Sequence, residues 1–237
     1  MKRLDGRSHN ELRPVSMTHG VQLYADGSVI IEAGLTRVLC SVTVEDDVPK
    51  FLKGSGGGWI TAEYAMLPSS TSTRISRDSR TGGRAREIQR LIGRSLRAAV
   101  DMQVLGERTL TIDCDVIQAD GGTRTASITG AYVALYQALV NMKERNDIQR
   151  LPIINGVAAV SVGIINDIPI LDMAYEEDVM ADTDFNVVMT DRGEFVEIQG
   201  TAEANPFSPM ILDDVLILAN EGIEQLLKIQ AQVIESF

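Results

Sequence analysis

Residues Leu110–Met142 read LTIDCDVIQADGGTRTASITGAYVALYQALVNM. Leu110, Ile112, Cys114 and Val116 alternate with polar residues, the period of a strand buried on one face. Gly121-Gly122 breaks that run, and Ala126–Met142 follows as a mostly apolar stretch of helical length, the pattern of a buried helix. A strand that passes straight into a buried helix needs a further layer to cover that helix. The stretch therefore points to an α/β fold.

The segments on either side extend the same reading. Upstream, Ile88, Leu91, Ile92, Leu96, Ala99 and Val100 recur at the spacing of one buried helical face. Before it, strands are predicted over Val21–Tyr24, Ser28–Glu32, Thr36–Glu45 and Trp59–Met66, with Asp26-Gly27 as a hairpin turn and Gly54–Gly58 as a loop. Pro68–Gly83 reads as an arginine-rich surface loop, and Trp59 as a core residue of its strand. Downstream, strands are predicted over Val157–Ile165, Pro169–Tyr175, Asn186–Thr190 and Glu194–Ala202, with turns at Asn166-Asp167 and Asp191-Arg192-Gly193. A last helix runs from Pro209 to about Glu235, with Ser208 as its N-cap. The expectation is an α/β sandwich of mixed sheets and helices, one domain over 1–237 in two similar halves, with no linker to split it.

The chain has 237 residues, 44% hydrophobic and 23% charged, an ordinary balance for a fold with a proper core. The first residues lack the apolar stretch of a signal peptide, and no apolar run reaches the ~18 residues that span a bilayer. Cys40 and Cys114 each sit in an apolar alternating run and read as core thiols of a reducing, cytoplasmic compartment. A net charge of −11 argues against indiscriminate nucleic-acid binding. The charge is divided, however: Arg74–Arg97 holds eight arginines against two acids, and Asp172–Asp214 holds twelve acids against one base. Two solvated faces would explain that division, and so would one segment that steers a polyanion and another that holds a cation.

Two segments share a device of glycine pair, arginine and helix: Gly82-Gly83-Arg84 and Gly121-Gly122-Thr123-Arg124-Thr125. Free N–H groups and the dipole at a helix start attract anions, glycine lets the backbone approach closely, and arginine adds a forked, charged donor. Thr123, Thr125 and Ser127 supply hydroxyls for capping or for a phosphate oxygen. Either segment alone is explained by a turn and a helix cap, but two in one chain favour phosphate. The third constellation is Asp178, Asp182 and Asp184, preceded by Glu176 and Glu177. Hard carboxylates in small number suit Mg²⁺ shared with a substrate phosphate, and an acidic loop between strands fits the spacing equally.

The two histidines, His9 and His19, lie far from these segments, so a histidine base has little support. Inorganic phosphate arrives as a competent nucleophile that mainly needs positioning and charge neutralisation, and this chain carries that equipment. Two alternatives remain at this level. One is a hydrolytic two-metal nuclease in which Asp113, Asp115 and Asp120 join the later acids; the other is a catalytically silent RNA-binding ring subunit.

Long segments carry a family likeness: Asp5-Gly6-Arg7, Asn10–Pro14, Gly58–Tyr64, Met66-Leu67-Pro68, Glu87–Ile92, Asp113–Val116, Gln118–Gly130 and Glu197–Glu203. In order and over essentially the whole chain, they resemble the bacterial ribonuclease PH family of phosphorolytic 3′→5′ exoribonucleases. The resemblance implies βαβ units of the ribosomal protein S5 domain 2-like type. It also implies a homohexamer built as a trimer of dimers, and trimming of tRNA precursors, with rRNA processing among the family's roles. By position, Arg84, Thr123 and Arg124 match the family's phosphate-binding residues. Asp178 and Asp184 match its catalytic acids, which hold Mg²⁺, and Arg74 and Arg77 match loop arginines that hold tRNA. The chain departs from the family in carrying Ser69 where an arginine commonly follows Leu-Pro, and its loop before Gly82 is a few residues short.

Overall fold

The computed structural model describes residues 3–78, 82–203 and 206–237. The first sheet contains β1 (Val15–His19), β2 (Gly27–Ala33), β3 (Thr36–Glu45), β4 (Trp59–Met66) and β5 (Thr109–Gln118), in the order β1-β2-β3-β5-β4. Only β4 and β5 run parallel in that sheet, because helix α1 (Gly83–Arg97) carries the chain from one to the other. A short helix α2 (Met102–Leu105) precedes β5, and α3 (Thr123–Glu144) follows it. The second sheet is antiparallel throughout: β6 (Val157–Ile165), β7 (Ile168–Leu171), β8 (Thr183–Thr190) and β9 (Phe195–Ala202) lie in the order β7-β6-β8-β9. Helix α4 (Tyr175–Met180) connects β7 to β8, and α5 (Pro209–Ile234) closes the chain.

Helix α3 packs on β2 and β3 of the first sheet and on β6 of the second. That position explains its sequence, since a helix covered from both sides must be apolar all round. On α1, the periodic residues Ile88, Leu91, Ile92 and Leu96 are buried against the first sheet's core. Removing one of them to alanine costs about 2–5 kcal/mol through lost burial and the cavity left behind. The second sheet buries its own apolar face, including Val162, Phe185 and Val187, under α5. Cys40 and Cys114 are paired across β3 and β5, both buried, with sulfurs 4.0 Å apart and unbonded.

Several sequence expectations are corrected. Val21–Tyr24 is a turn, not a strand, and Leu23 and Tyr24 are almost fully exposed. The edge strand is Val15–His19 instead; four alternating residues were too short a signal to place it. Asp26-Gly27 does not reverse the chain, since Gly27 begins β2, where a Cβ would lie 2.2 Å from the Ala134 carbonyl of α3. Close helix approach, not a turn, requires that glycine. The predicted strand Pro169–Tyr175 stops at Leu171; Asp172 adopts a positive φ of 50°, and the acidic segment then forms α4. Trp59 is half-buried, not core: Arg97 lies 4.5 Å over its ring and Phe51 packs edge-on to it. Part of the predicted arginine loop, 79–81, lies outside the described residues.

Candidate active site

Two helix starts converge on one cleft. α1 follows Gly82 and α3 follows Gly122, and no side chain caps either start. Uncapped N–H groups and two dipole ends make the region attractive to anions. Arg84 and Arg124, each second in its helix, line a cavity of about 850 Å³ with Asp178, Asp184, Asn186 and Gln199. A second lobe of about 640 Å³ shares Arg84, Arg124, Asp178, Asp184 and Asn186, and is also lined by Ile75, Gly121-Gly122, Thr123 and Tyr175. The structure thus brings together all five residues expected to hold phosphate and supply the acids.

Arg84 is exposed and makes no ion pair with another described residue, so its guanidinium is uncommitted. Arg124 is oriented: its Nη1 donates to Gln199 Oε1 at 3.0 Å and to Glu87 Oε1 at 3.3 Å, which leaves the rest of the fork for a ligand. The Thr123 hydroxyl lies 2.9 Å from that of buried Tyr64. Burial pushes the Tyr64 phenol pKa up, while the Arg84 and Arg124 charges oppose that shift without cancelling it. Thr125 and Ser127 do not join the site. Their hydroxyls donate to the Gly122 and Thr123 carbonyls and are turned into the helix.

Asp178 comes from α4 and Asp184 from β8. Burial raises both pKa values. Asp178 adds further repulsion to Asp184, while the two arginines and a 3.3 Å hydrogen bond from Asn186 Nδ2 partly offset it. Two hard carboxylates that repel one another, beside an anion site, are a suitable donor set for Mg²⁺ shared with phosphate oxygens. Glu177 is not part of that set. It is buried, and Arg3 grips it with contacts of 2.8 and 2.6 Å.

The supports of the site were missed in the sequence. Arg13 binds Asp172, just ahead of α4, and also the Asp120 and Gly121 carbonyls at the start of α3. Asp120 Oδ1 accepts from Tyr175 N at 3.2 Å, and a Cβ on Gly121 would lie 2.4 Å from the Met173 carbonyl. The Gly121-Gly122 turn and α4 therefore touch. Asp120 was singled out in the sequence only as a metal ligand; its carboxylate instead accepts from the backbone at the start of α4. Arg13 lies more than a hundred residues away and offered no local signal.

Arg74 and Arg77 are exposed on the loop whose Thr71–Thr73 and Ile75 wall the cleft; neither lines the cavity itself. Asp113 and Asp115 open on a separate cleft with Glu63, Arg86 and Gln89, away from Asp178 and Asp184, whereas Asp120 lines the second lobe with those two acids. Among the described residues, no helix is long and apolar enough to cross a membrane.

Comparison with known proteins adds a family match over most of the chain. Residues 11–141 match the description "3' exoribonuclease family, domain 1", and residues 155–222 match "domain 2" of the same family. The chain is 59% identical to a protein named Ribonuclease PH from Dehalococcoides mccartyi, over 97% of each chain. It is 56% identical to one from Syntrophomonas wolfei, over 99% of each. In fold it is similar to a chain of the Archaeoglobus fulgidus exosome with RNA bound to the active site, with a TM-score of 0.80 at 22% identity, covering 96% of this chain and 92% of the other.

Proposed function

The chain belongs to the 3′ exoribonuclease family, of the ribonuclease PH type, and from that premise we propose how its cleft performs phosphorolysis. The enzyme is a phosphorolytic 3′→5′ exoribonuclease that uses inorganic phosphate to shorten RNA and releases nucleoside 5′-diphosphates. Its standard role is the trimming of tRNA precursor 3′ ends. One observation carries the assignment of residues: Arg84 and Arg124, delivered from two uncapped helix starts, open on the same cavity as Asp178 and Asp184.

Phosphate is held by Arg84, Arg124, the Thr123 hydroxyl and the first N–H groups of α3. These donors offset the repulsion between the incoming dianion and the terminal phosphodiester. A phosphate oxygen bonds to the terminal phosphorus as the bond to the preceding O3′ breaks. The products are a nucleoside diphosphate and an RNA one nucleotide shorter. Asp178 and Asp184 serve the departing oxygen, and their raised proton affinity suits groups that hold a cation or a proton there. Mg²⁺ bound by these two carboxylates would supply positive charge to the phosphate oxygens. Arg74 and Arg77, exposed beside the cleft, receive the body of the tRNA.

The chain acts as one folding unit over 1–237, a reading supported by α3 packing on both sheets. It assembles as a homohexamer, a trimer of dimers; an exposed arginine-bearing helix in a chain of net charge −11 supports shared charged surfaces. Two adjacent unbonded thiols support a reducing cytoplasm. The reaction is reversible, so excess nucleoside diphosphate should extend an RNA tail. Release of nucleoside monophosphates without added phosphate would overturn the reading.

A further inference from the structure

Tyr175 is the aromatic residue that lines the cleft among the described residues. It is 57% exposed, and its side chain makes no hydrogen bond or ring contact with another described residue. Among the other exposed aromatics, Phe51 is packed against Trp59, and Tyr24 and Phe195 line neither lobe of the cleft. The Tyr175 ring therefore offers a free π-face at the reacting end of the cleft.

Three features place that ring where a base would lie. Its backbone N–H is held by Asp120 Oδ1, and the residue before it is held by Glu177 Oε2 at 3.0 Å, so the helix start is fixed. It precedes Asp178 by three residues, the spacing that puts two side chains on one helical face. The lobe it lines is also walled by Met66 and Ile75, an apolar surface with no use for a phosphate but suited to a base. An enzyme that removes nucleotides in succession has to hold each base regardless of identity. Stacking does so because every base has a π-face.

We propose that Tyr175 is the stacking platform for one of the two bases flanking the bond under attack. The inference rests on the reading of the cleft as the phosphorolytic site. Loss of one stacked base lowers binding by roughly 5- to 150-fold.

RNA oligonucleotides carrying 2-aminopurine at the terminal or the penultimate position test it, bound to the full chain without phosphate so that no turnover occurs. Stacking on Tyr175 quenches the fluorescence of one of the two probes in the wild type and in Tyr175→Phe. In Tyr175→Ala and Tyr175→Leu that quenching is lost and KM for RNA rises at least fivefold, while KM for phosphate stays within twofold. Quenching and RNA KM that are unchanged in both the alanine and leucine variants overturn the platform. Phosphate-dependent diphosphate release by the wild type is read in parallel. Its absence would overturn the reading of the cleft itself, which separates the two failures.

Discussion

Arg13 grips both carboxylate oxygens of Asp172, with Nε 3.0 Å from Oδ2 and Nη2 2.6 Å from Oδ1. The same guanidinium reaches the Asp120 and Gly121 carbonyls, so one buried pair fastens the approach to α4 to the Gly121-Gly122 turn. Breaking a buried pair leaves an uncompensated charge, which costs about 3–5 kcal/mol. Arg13→Met should therefore lower the melting temperature sharply, and Arg13→Met/Asp172→Asn, which removes the stranded charge and tolerates the positive φ, should recover part of the loss. A loss in the double variant equal to the sum of the losses in the two single variants would show that the pair is not coupled.

The same network sets an acid limit on stability. Burial alone would raise the pKa of Asp172 and of Glu177. Arg13 and Arg3 respectively overcome that effect and hold each carboxyl below its ordinary value. A folded pKa below the unfolded one gives stability that is fully present above the unfolded carboxylate range, near pH 4, and is lost as pH falls through the folded values. Thermal melts between pH 7 and pH 3 should show that decline. In Glu177→Gln the decline should be shallower, from a lower starting stability.

Asp184→Asn keeps the shape of the β8 side chain and removes its charge. If Asp184 serves the leaving oxygen, turnover should fall by about 10²–10⁴, with RNA affinity nearly intact. A variant that turns over at the wild-type rate in saturating Mg²⁺ would reduce the two acids to a solvated cluster.

The Tyr64 hydroxyl lies 2.9 Å from that of Thr123, a proposed phosphate ligand, and would orient it. Removing one such hydrogen bond is worth about 0.5–1.5 kcal/mol. Tyr64→Phe should raise KM for phosphate a few-fold, and Thr123→Val in that background should add little. Fully additive effects in the cycle would show that the two hydroxyls act separately.

Much of the fold could be read because its elements carry clean periods. β3 lies where alternation placed it, β4 and β6 lie over the ranges expected of them, and α1 buries the face its spacing marked. Ser208 caps α5 by accepting from Ile211 N, as its sequence position indicates. The failures share a cause in contacts made at long range. Nothing local distinguishes Gly27 at a turn from Gly27 against α3, and Glu177 joins the acid cluster in sequence but Arg3 in space. The glycine-pair arginines and the acidic cluster were visible as local signatures, while the choice of Asp178 and Asp184 within that cluster came from the family resemblance. Tyr64, Arg13 and Asn186 were not visible, since each acts only through a partner that folding brings to it.

The account turns on which arginine holds phosphate. Arg84 lines the cleft with Arg124, Asp178 and Asp184, whereas Arg86, two residues later on α1, faces the separate cleft of Asp113 and Asp115. A charged hydrogen bond to phosphate is worth about 1.5–3 kcal/mol. The most direct measurement is KM for phosphate in Arg84→Ala and Arg86→Ala, with the oligomer checked by light scattering. The account requires a rise of roughly 10- to 150-fold for Arg84→Ala, with assembly unchanged, and a change of no more than a few-fold for Arg86→Ala. A wild-type phosphate KM in Arg84→Ala, with the large rise in Arg86→Ala instead, would contradict it.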